Sequence, residues 1–374
     1  PVGAWFDNLL GTAPSSSPRT APKPQIVASL EAPDFDAPPR FIAGLRPFRD
    51  GGMRLQAERP IEMADGPRHL IHNYGHGGAG MTLAFGSAEL AADLADPIIA
   101  REQAEGRTAR VAILGAGVIG LTTARAIRRR HPATAITIFA RECEPAETTS
   151  HKAGGMFAPI SNLGEYHEAS QRALLAKVLA GSSRMLVAMS RDRGYAGLGL
   201  SRRPTYSIDE TGRGAVRVHL GKGTRAVKRY DSWLIDPTLV LPGLKRELQE
   251  KGVSFIVRHF ADEKEVYQLA QSIIVNCTGL GAKALFGDEL VEARRGHLVL
   301  LPNPKKLRYL ITSWCGAGTR YLFARENDIV IGGSTLRDDL VPEFDPMNPA
   351  DVRAGERILR SARSLFEPGA IACA

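Results

Sequence analysis

RVAILGAGVIGLTTARAIRRR, residues 110–130, runs from a short apolar segment through three spaced glycines into a stretch with helical periodicity. Arg110–Leu114 reads as a buried strand and Gly115-Ala116-Gly117-Val118-Ile119-Gly120 as a tight turn opening a helix. That helix runs to about Arg130, and Pro132 helps to end it. A second strand follows at Ala135–Phe139. Strand, GxGxxG, helix and second strand together form a dinucleotide-binding unit. Gly115 permits the sharp turn, Gly117 lets backbone approach a pyrophosphate, and Gly120 lets the helix pack on the strand. The free N–H groups of the helix N-terminus then face the phosphates. Past the second strand, Glu142 is placed to hold ribose hydroxyls. Arg141 beside it is either a solvent-facing cation or a partner for a 2′-phosphate, so the pattern alone leaves NAD, NADP and FAD open.

Downstream, Gly164–Ser190 reads as a helix with Leu174, Leu175, Val178 and Leu179 on one face. Asp236 is placed to cap a helix that reaches Lys251 and ends at Gly252. Residues 253–257, 272–275, 297–301, 321–323 and 329–331 read as strands, and Ala350–Leu365 as a helix. Upstream, residues 12–40 hold seven prolines and four serines and read as an extended arm within a segment 1–40. The glycine-rich IHNYGHGGAG (71–80) precedes a helix at Gly86–Ile99, and the polar residues 100–109 read as a surface connection.

The 374 residues suggest two domains. With 44% apolar and 24% charged residues the composition is that of an ordinary globular chain, and its apolar runs are shorter than a membrane span needs, so no membrane partner is expected. The net charge of +8 is read as a solvated basic surface. Arg128-Arg129-Arg130 is read as cations at a helix C-terminus, so no nucleic-acid partner is expected. The four cysteines have no CxxC spacing, which excludes a zinc ribbon and points to reduced thiols and a cytoplasmic location. Cys277 has no adjacent base that would make it a nucleophile. His69, His72 and His76 lie in a non-helical, glycine-rich setting where their spacing does not gather the rings, so no metal site is expected.

Several strings resemble the D-amino-acid oxidase family of FAD-dependent oxidoreductases: VAILGAGVIGL (111–121), TTSHKAG (148–154), VNCTGL (275–280), Arg295-Gly296-His297, GLRPFR (44–49), Arg54-Leu55 and IHNYGHGGAGMT (71–82). The resemblance spans roughly residues 40 to 370. Its order is rearranged. In the family the GxGxxG strand opens the chain and HNYGHGG lies near the end, whereas here HNYGHGG comes first. This is the pattern of a circular permutation, with the old ends joined through 100–109 and new ends opened before Phe41 and after the 350–365 helix. A domain swap between subunits is the alternative.

The resemblance implies an α/β fold. A doubly wound, Rossmann-type domain holds noncovalent FAD, and a substrate domain carries a large antiparallel sheet. The first should collect 55–160 and 215–295, the second 41–54, 161–214 and 296–374. Arg46 falls on the arginine that binds the substrate carboxylate, Tyr321 on an active-site tyrosine, and Gly78 on a glycine whose carbonyl faces the substrate amine. The implied cofactor contacts are Gly115–Gly120, Arg141, Glu142, Thr148, Thr149, Gly154, Thr278, Gly279, Gly75, Gly77, Gly80 and Thr82. Ala317 stands where the family has a lid tyrosine, and the loop before it is shorter, which implies a more open mouth that Arg320 and Trp314 either line or flank from the surface.

The implied activity is hydride transfer from the Cα of a D-amino acid or related amine to flavin N5. An imine results, and molecular oxygen is reduced to hydrogen peroxide. A larger or secondary amine substrate, a flavin dehydrogenase, and a flavin-binding protein without turnover are the alternatives. A homo-oligomer is possible.

Overall fold

In the computed structural model, residues 26–157, 163–195, 197–208, 216–315, 318–333, 341 and 343–369 are described. The strands are β1 (Ile26–Leu30), β2 (Arg40–Arg49), β3 (Arg54–Ala57), β4 (His69–Tyr74), β5 (Arg110–Leu114), β6 (Ala135–Ala140), β7 (Leu200–Ile208), β8 (Val216–Leu220), β9 (Gly223–Ile235), β10 (Ser254–Val257), β11 (Ile273–Asn276), β12 (Val291–Pro302), β13 (Leu310–Cys315), β14 (Gly318–Ala324) and β15 (Asp328–Gly332). The helices are α1 (Gly80–Ala104), α2 (Val118–Arg130), α3 (Ala169–Arg191), α4 (Pro237–Glu250), α5 (Glu263–Tyr267), α6 (Gly281–Phe286) and α7 (Pro349–Ser364).

β5, apolar and buried after Arg110, lies inside a six-stranded sheet of order β10-β6-β5-β11-β4-β3, parallel except for the edge strand β3. Both faces are covered, as a parallel sheet requires. On one face α1, α2, α3 and α4 contribute Leu83, Leu121, Val178 and Leu244 to the core, and on the other Phe260, Val266 and Leu269 cover Ala112, Leu114 and Ile274. Asp236 caps α4 as expected, its carboxylate accepting from the Thr238 amide at 3.0 Å.

α1 and α3 cross at small residues. A Cβ on Gly86 would stand 1.9 Å from the Val178 carbonyl oxygen, and the Gly86 amide donates to Ser182 Oγ at 2.8 Å. By length and composition α3 could cross a membrane; here its Leu175, Val178, Leu179 and Leu186 are buried in the core shared with α1. The arginine run at the end of α2 is committed to α1: Arg129 pairs with Glu89, and Arg130 with Glu89, Asp93 and Asp96, each at 2.7 Å.

The second sheet has nine strands in the order β1-β8-β9-β7-β13-β14-β15-β12-β2, antiparallel apart from the pairs β1/β8 and β13/β7. α7 and the turn after it cover one face through Ile358, Ala362, Leu365 and Phe366. The other face looks toward the parallel sheet.

Four expectations are corrected. Residues 26–30, read as part of the arm, are an edge strand: IVASL pairs parallel to β8. Residues 100–104, read as connection, continue α1, whose last turn buries Glu102 and is tied down by Arg101 bonding His69 Nε2 at 2.9 Å. The hairpin β8–β9, placed with the dinucleotide half in 215–295, belongs to the nine-stranded sheet because β9 pairs with β7 along nine residue pairs. α3, placed with the substrate half in 161–214, packs on α1 in the core of the parallel sheet, and starts at Ala169 where Glu168 and Gln171 form a reciprocal cap.

Candidate active site

A cavity of about 1410 Å³ opens between the C-terminal ends of the parallel strands and the inner face of the nine-stranded sheet. At its first end lies the loop after β5. Gly115 has φ +108°, a left-handed conformation that glycine adopts without strain, and a Cβ there would sit 2.6 Å from the Cys277 carbonyl oxygen. A Cβ on Gly120 would stand 1.9 Å from the Gly115 carbonyl oxygen, so only glycine lets α2 approach β5 this closely. Gly120 does not line the cavity; its part is this packing. Gly115, Ala116, Gly117, Val118 and Ile119 do line it. The Val118 amide at the start of α2 donates to Ser150 Oγ at 3.0 Å, a partner the sequence reading did not single out.

Around this end the structure gathers the other expected residues. Arg141 and Glu142 follow β6, Thr148, Thr149 and Gly154 lie on the next segment, and Thr278 and Gly279 follow β11. Gly75, Gly77 and Gly78 come from the turn between β4 and α1, and Gly80 and Thr82 from the first turn of α1. Thr82 donates to the Met156 carbonyl at 3.3 Å, which ties that turn to the 154–157 segment. Arg258, His259 and Phe260, just past β10, also line the cavity and had no motif to mark them.

The second end is the inner face of the large sheet, where two long side chains lie down over glycines. Arg46 of β2 stands opposite Arg294 of β12, and its guanidinium rests on the neighbouring Gly296: a Cβ there would meet Arg46 Nε and Nη2 at 3.2 Å. Tyr321 of β14 pairs with Gly332 of β15, where a Cβ would be 2.3 Å from the Tyr321 ring carbon Cζ and its Oη. Two strands, β15 and β12, separate β14 from β2, and each carries the glycine over which one of these side chains reaches. Phe323 stacks on Tyr321 with ring centroids 4.5 Å apart. Burial lowers the Arg46 pKa, against the favourable effect of Tyr321, and raises that of the Tyr321 phenol against the effect of Arg46. Each group feels the other's charge in a partly buried place, and charge-assisted bonds to a carboxylate are the strong kind of hydrogen bond.

Other candidates fall elsewhere. His72 and His76 are buried, and burial drives their pKa values down to about 4 and about 3, so both are neutral near pH 7. His72 faces Asn276 Nδ2 at 3.1 Å, and Asn73 donates to Thr123 Oγ1 at 3.0 Å; both are structural contacts. Tyr74 donates to Asp288 at 2.5 Å. Burial pushes the Cys277 thiol up to about 12, which leaves it an inert core residue. Arg320, considered for the mouth, is turned away into the α7 side of the sheet and donates to Ser361 Oγ at 2.9 Å. Ala317 and the side chain of Trp314 lie outside the described residues. Among the described residues one group could gather metal-ligand atoms, Asp50, Glu165 and His167 within 4.8 Å of one another. It sits on the surface, and Asp50 and His167 pair at 2.8 Å.

The family model described as FAD dependent oxidoreductase (DAO) matches residues 16–94 and 110–373. The chain belongs to that family. It is 30% identical over 261 residues to a D-amino-acid oxidase of Streptomyces coelicolor, an alignment covering 64% of this chain and 74% of that one. It is 26% identical over 269 residues to a human D-aspartate oxidase, covering 66% and 74%. Among solved structures, the iminodiacetate oxidase of Chelativorans sp. BNC1 shares the fold with a TM-score of 0.50 at 16% identity, covering 67% of this chain and 77% of that chain.

FAD is the cofactor of this family, and the residues present fit it. Gly115 and Gly120 of the cradle have no room for a Cβ, the start of α2 faces the cavity, and the cavity continues from there to Arg46 and Tyr321.

Proposed function

We propose that this member of the family oxidises the Cα–N bond of a D-amino acid or a related amine bearing a carboxylate. The observation that carries the reading is the convergence of Arg46 and Tyr321 over Gly296 and Gly332, in the same cavity as the dinucleotide cradle. Arg46 offers a planar two-donor fork to the carboxylate, and Tyr321 adds a phenol proton beside it. Held by that group, the substrate loses its freedom to tumble before the step begins. Gly78, with no side chain between backbone and cavity, lets its carbonyl face the amine. FAD, held at the Gly115–Gly120 cradle, would supply the hydride acceptor and, with molecular oxygen as final acceptor, the route to hydrogen peroxide. The chain's own residues contribute binding, orientation and exclusion of water. The names of the two curated relatives point the same way.

The purified protein should be yellow and release FAD on denaturation. Anaerobic mixing with a panel of D-amino acids should bleach the flavin, and air should restore the colour. Bleaching without re-oxidation would make it a dehydrogenase, and no bleaching with any amine would leave a binding protein.

We also read the chain order as a circular permutation closed within one chain. Several observations support this. The family match falls in two pieces either side of residues 95–109, and residues 103–108 are exposed. α1 leads from HNYGHGG toward β5, and β4 pairs with β11 of the same chain. The end of α7 reaches the start of the sheet: Arg363 donates to the Phe35 carbonyl at 2.8 Å, and the Phe35 and Phe366 rings are 5.6 Å apart. Ala374 itself lies outside the described residues. A variant opened at Gly106, with the 360s linked to the 30s, should fold and bind FAD; failure of that variant to bind FAD would count against the reading.

A further inference from the structure

Beyond Tyr321 the cavity floor carries hydroxyl groups. The strand register aligns Ser207 of β7 with Thr312 of β13, and Thr312 with Tyr321 of β14. Successive side chains of a strand point to opposite faces. Tyr206, Ile208 and Ile311 pack in the core under α7, so Ser207 and Thr312 stand on the other face, where both line the cavity. Neither hydroxyl makes a hydrogen bond to any described residue, and both are only partly buried. The next row of the same face is mostly apolar and closed: Leu310, Phe323, Val330 and Leu300 pack together. The two hydroxyls therefore stand beside a mostly apolar surface, and they sit where a ligand held at Arg46 and Tyr321 would extend.

The charges at this end have one sign. The acidic residues among the described lining are Glu142 and Glu147, both on the segment after β6 at the dinucleotide end. Arg46 and Lys152 are cations, and the stem of Lys152 packs against the backbone of Gly44, two residues from Arg46 on β2. A hydroxyl can donate or accept, but the cations Arg46 and Lys152 favour an electron-rich ligand group, and no carboxylate of the lining competes for the hydroxyl protons here. The group they suit is a hydrogen-bond acceptor. Strands lie about 4.8 Å apart, so two neighbouring hydroxyls can both reach the oxygens of one carboxyl or amide group.

We propose that Ser207 and Thr312 bind the far end of the substrate's side chain, and that this end is an oxygen-terminated group, a carboxylate or a carboxamide. The inference rests on the amino-acid reading above and names the substrate class within it. A site with hydroxyls prepared for a polar arm rejects an apolar one, because the hydroxyls are then buried without partners.

Two measurements test this. In the first, flavin reduction is followed with D-aspartate, D-asparagine, D-glutamate, D-glutamine, D-valine and D-leucine, for the parent protein and for Ser207→Ala, Thr312→Val and the double variant. The parent should favour the acid or the amide over the apolar amino acids of similar size. The ratio of kcat/KM between polar and apolar substrates should fall about tenfold per hydroxyl removed. Preference within each acid–amide pair tells which oxygen group is read. In the second, unreactive succinate and butyrate are titrated into the FAD-bound protein and read by the change in flavin absorbance. The ratio of their dissociation constants should fall in the variants by the same factor. A polar-to-apolar ratio unchanged within twofold in the double variant would overturn the assignment, as would a parent preference for D-valine or D-leucine. If no amino acid bleaches the flavin of the parent protein, the amino-acid reading itself fails and this inference falls with it.

Discussion

Gly332→Ala should slow substrate oxidation about a hundredfold without unfolding the protein. Gly332 has no left-handed backbone, so alanine fits the strand conformation. The new methyl group would stand 2.3 Å from Tyr321 Cζ and Oη and 2.7 Å from Leu298 Cδ2. The Leu298 methyl is the end of a flexible chain and can turn away. The tyrosine ring is stacked on Phe323 and has to retreat by roughly 1 Å to reach ordinary van der Waals separation. A displacement of that size in a positioning group costs on the order of 10²-fold in rate, or ~2.7 kcal/mol of transition-state stabilisation. The accompanying overpacking costs about 1–3 kcal/mol of stability, which the fold as a whole can absorb. Anaerobic stopped-flow reduction of the flavin reads the first effect, and flavin content with thermal unfolding reads the second. In a Tyr321→Leu background the same glycine substitution should add little, because its target is gone. A Gly332→Ala protein that reduces its flavin within threefold of the parent rate would refute the reasoning. So would an equal loss in the Tyr321→Leu background.

Arg46→Ala should remain yellow while losing two to three and a half decades of flavin reduction by amino acids, since removal of one partner of a desolvated charge pair costs roughly 3–5 kcal/mol. Arg46→Lys should recover only part of this; near-normal turnover by Arg46→Ala would mean a substrate without a carboxylate. Gly120→Ala puts a methyl group 1.9 Å from the Gly115 carbonyl oxygen, and the protein should purify without bound FAD, as its absorbance spectrum would reveal. Asp351 is 1% exposed and receives Arg295 at 2.6 Å, His297 at 2.9 Å and the Asp345 amide at 2.8 Å. Burial would raise its pKa, but these partners hold it down at about 2. The lowered value contributes roughly 2–3 kcal/mol of stability above about pH 4, lost as the pH falls toward 2. Asp351→Asn should flatten acid unfolding over that window and lower Tm at pH 7, because buried Arg295 loses its counter-charge; unchanged unfolding at both pH values would contradict this.

The parts of the molecule that were legible in the sequence are those where a local constraint acts alone. β5, the glycine turn and α2 are set by backbone geometry within twenty residues, and Asp236 announces its helix because its carboxylate caps a neighbouring amide. The strand at Ile26–Leu30 was not legible, since its partner β8 lies some 190 residues away and most of the strand is exposed. The hairpin β8–β9 was misplaced for a similar reason: its sheet is decided by pairing with β7. Arg46 and Tyr321 were found by resemblance, but the function of Gly296 and Gly332 was not, because a glycine that makes room for a side chain on the adjacent strand has no signature along the chain. Arg320 was misjudged because strand alternation turns it from the face that Tyr321 occupies, and Ser207 and Thr312 were invisible because two ordinary hydroxyl residues become a pair only through sheet register.

The place of β11 between β5 and β4 has a consequence for how the protein is made. The strand before HNYGHGG and the strand before GxGxxG are both complete by residue 114, yet they do not touch in the sheet; β11, at residues 273–276, fills the slot between them and pairs with each in parallel. A ribosome releases the two flanking strands long before the strand that joins them. Until then each leaves one edge unpaired, and the glycine turn lacks the Cys277 backbone it packs against. Closing such a slot is a long-range event whose entropic cost rises with the logarithm of the chain that must be looped out, and pairings of this kind form slowly. Cofactor capture is thus postponed until β11 has been made, and during that interval the nascent chain carries open parallel edges of the kind that invite association with other chains.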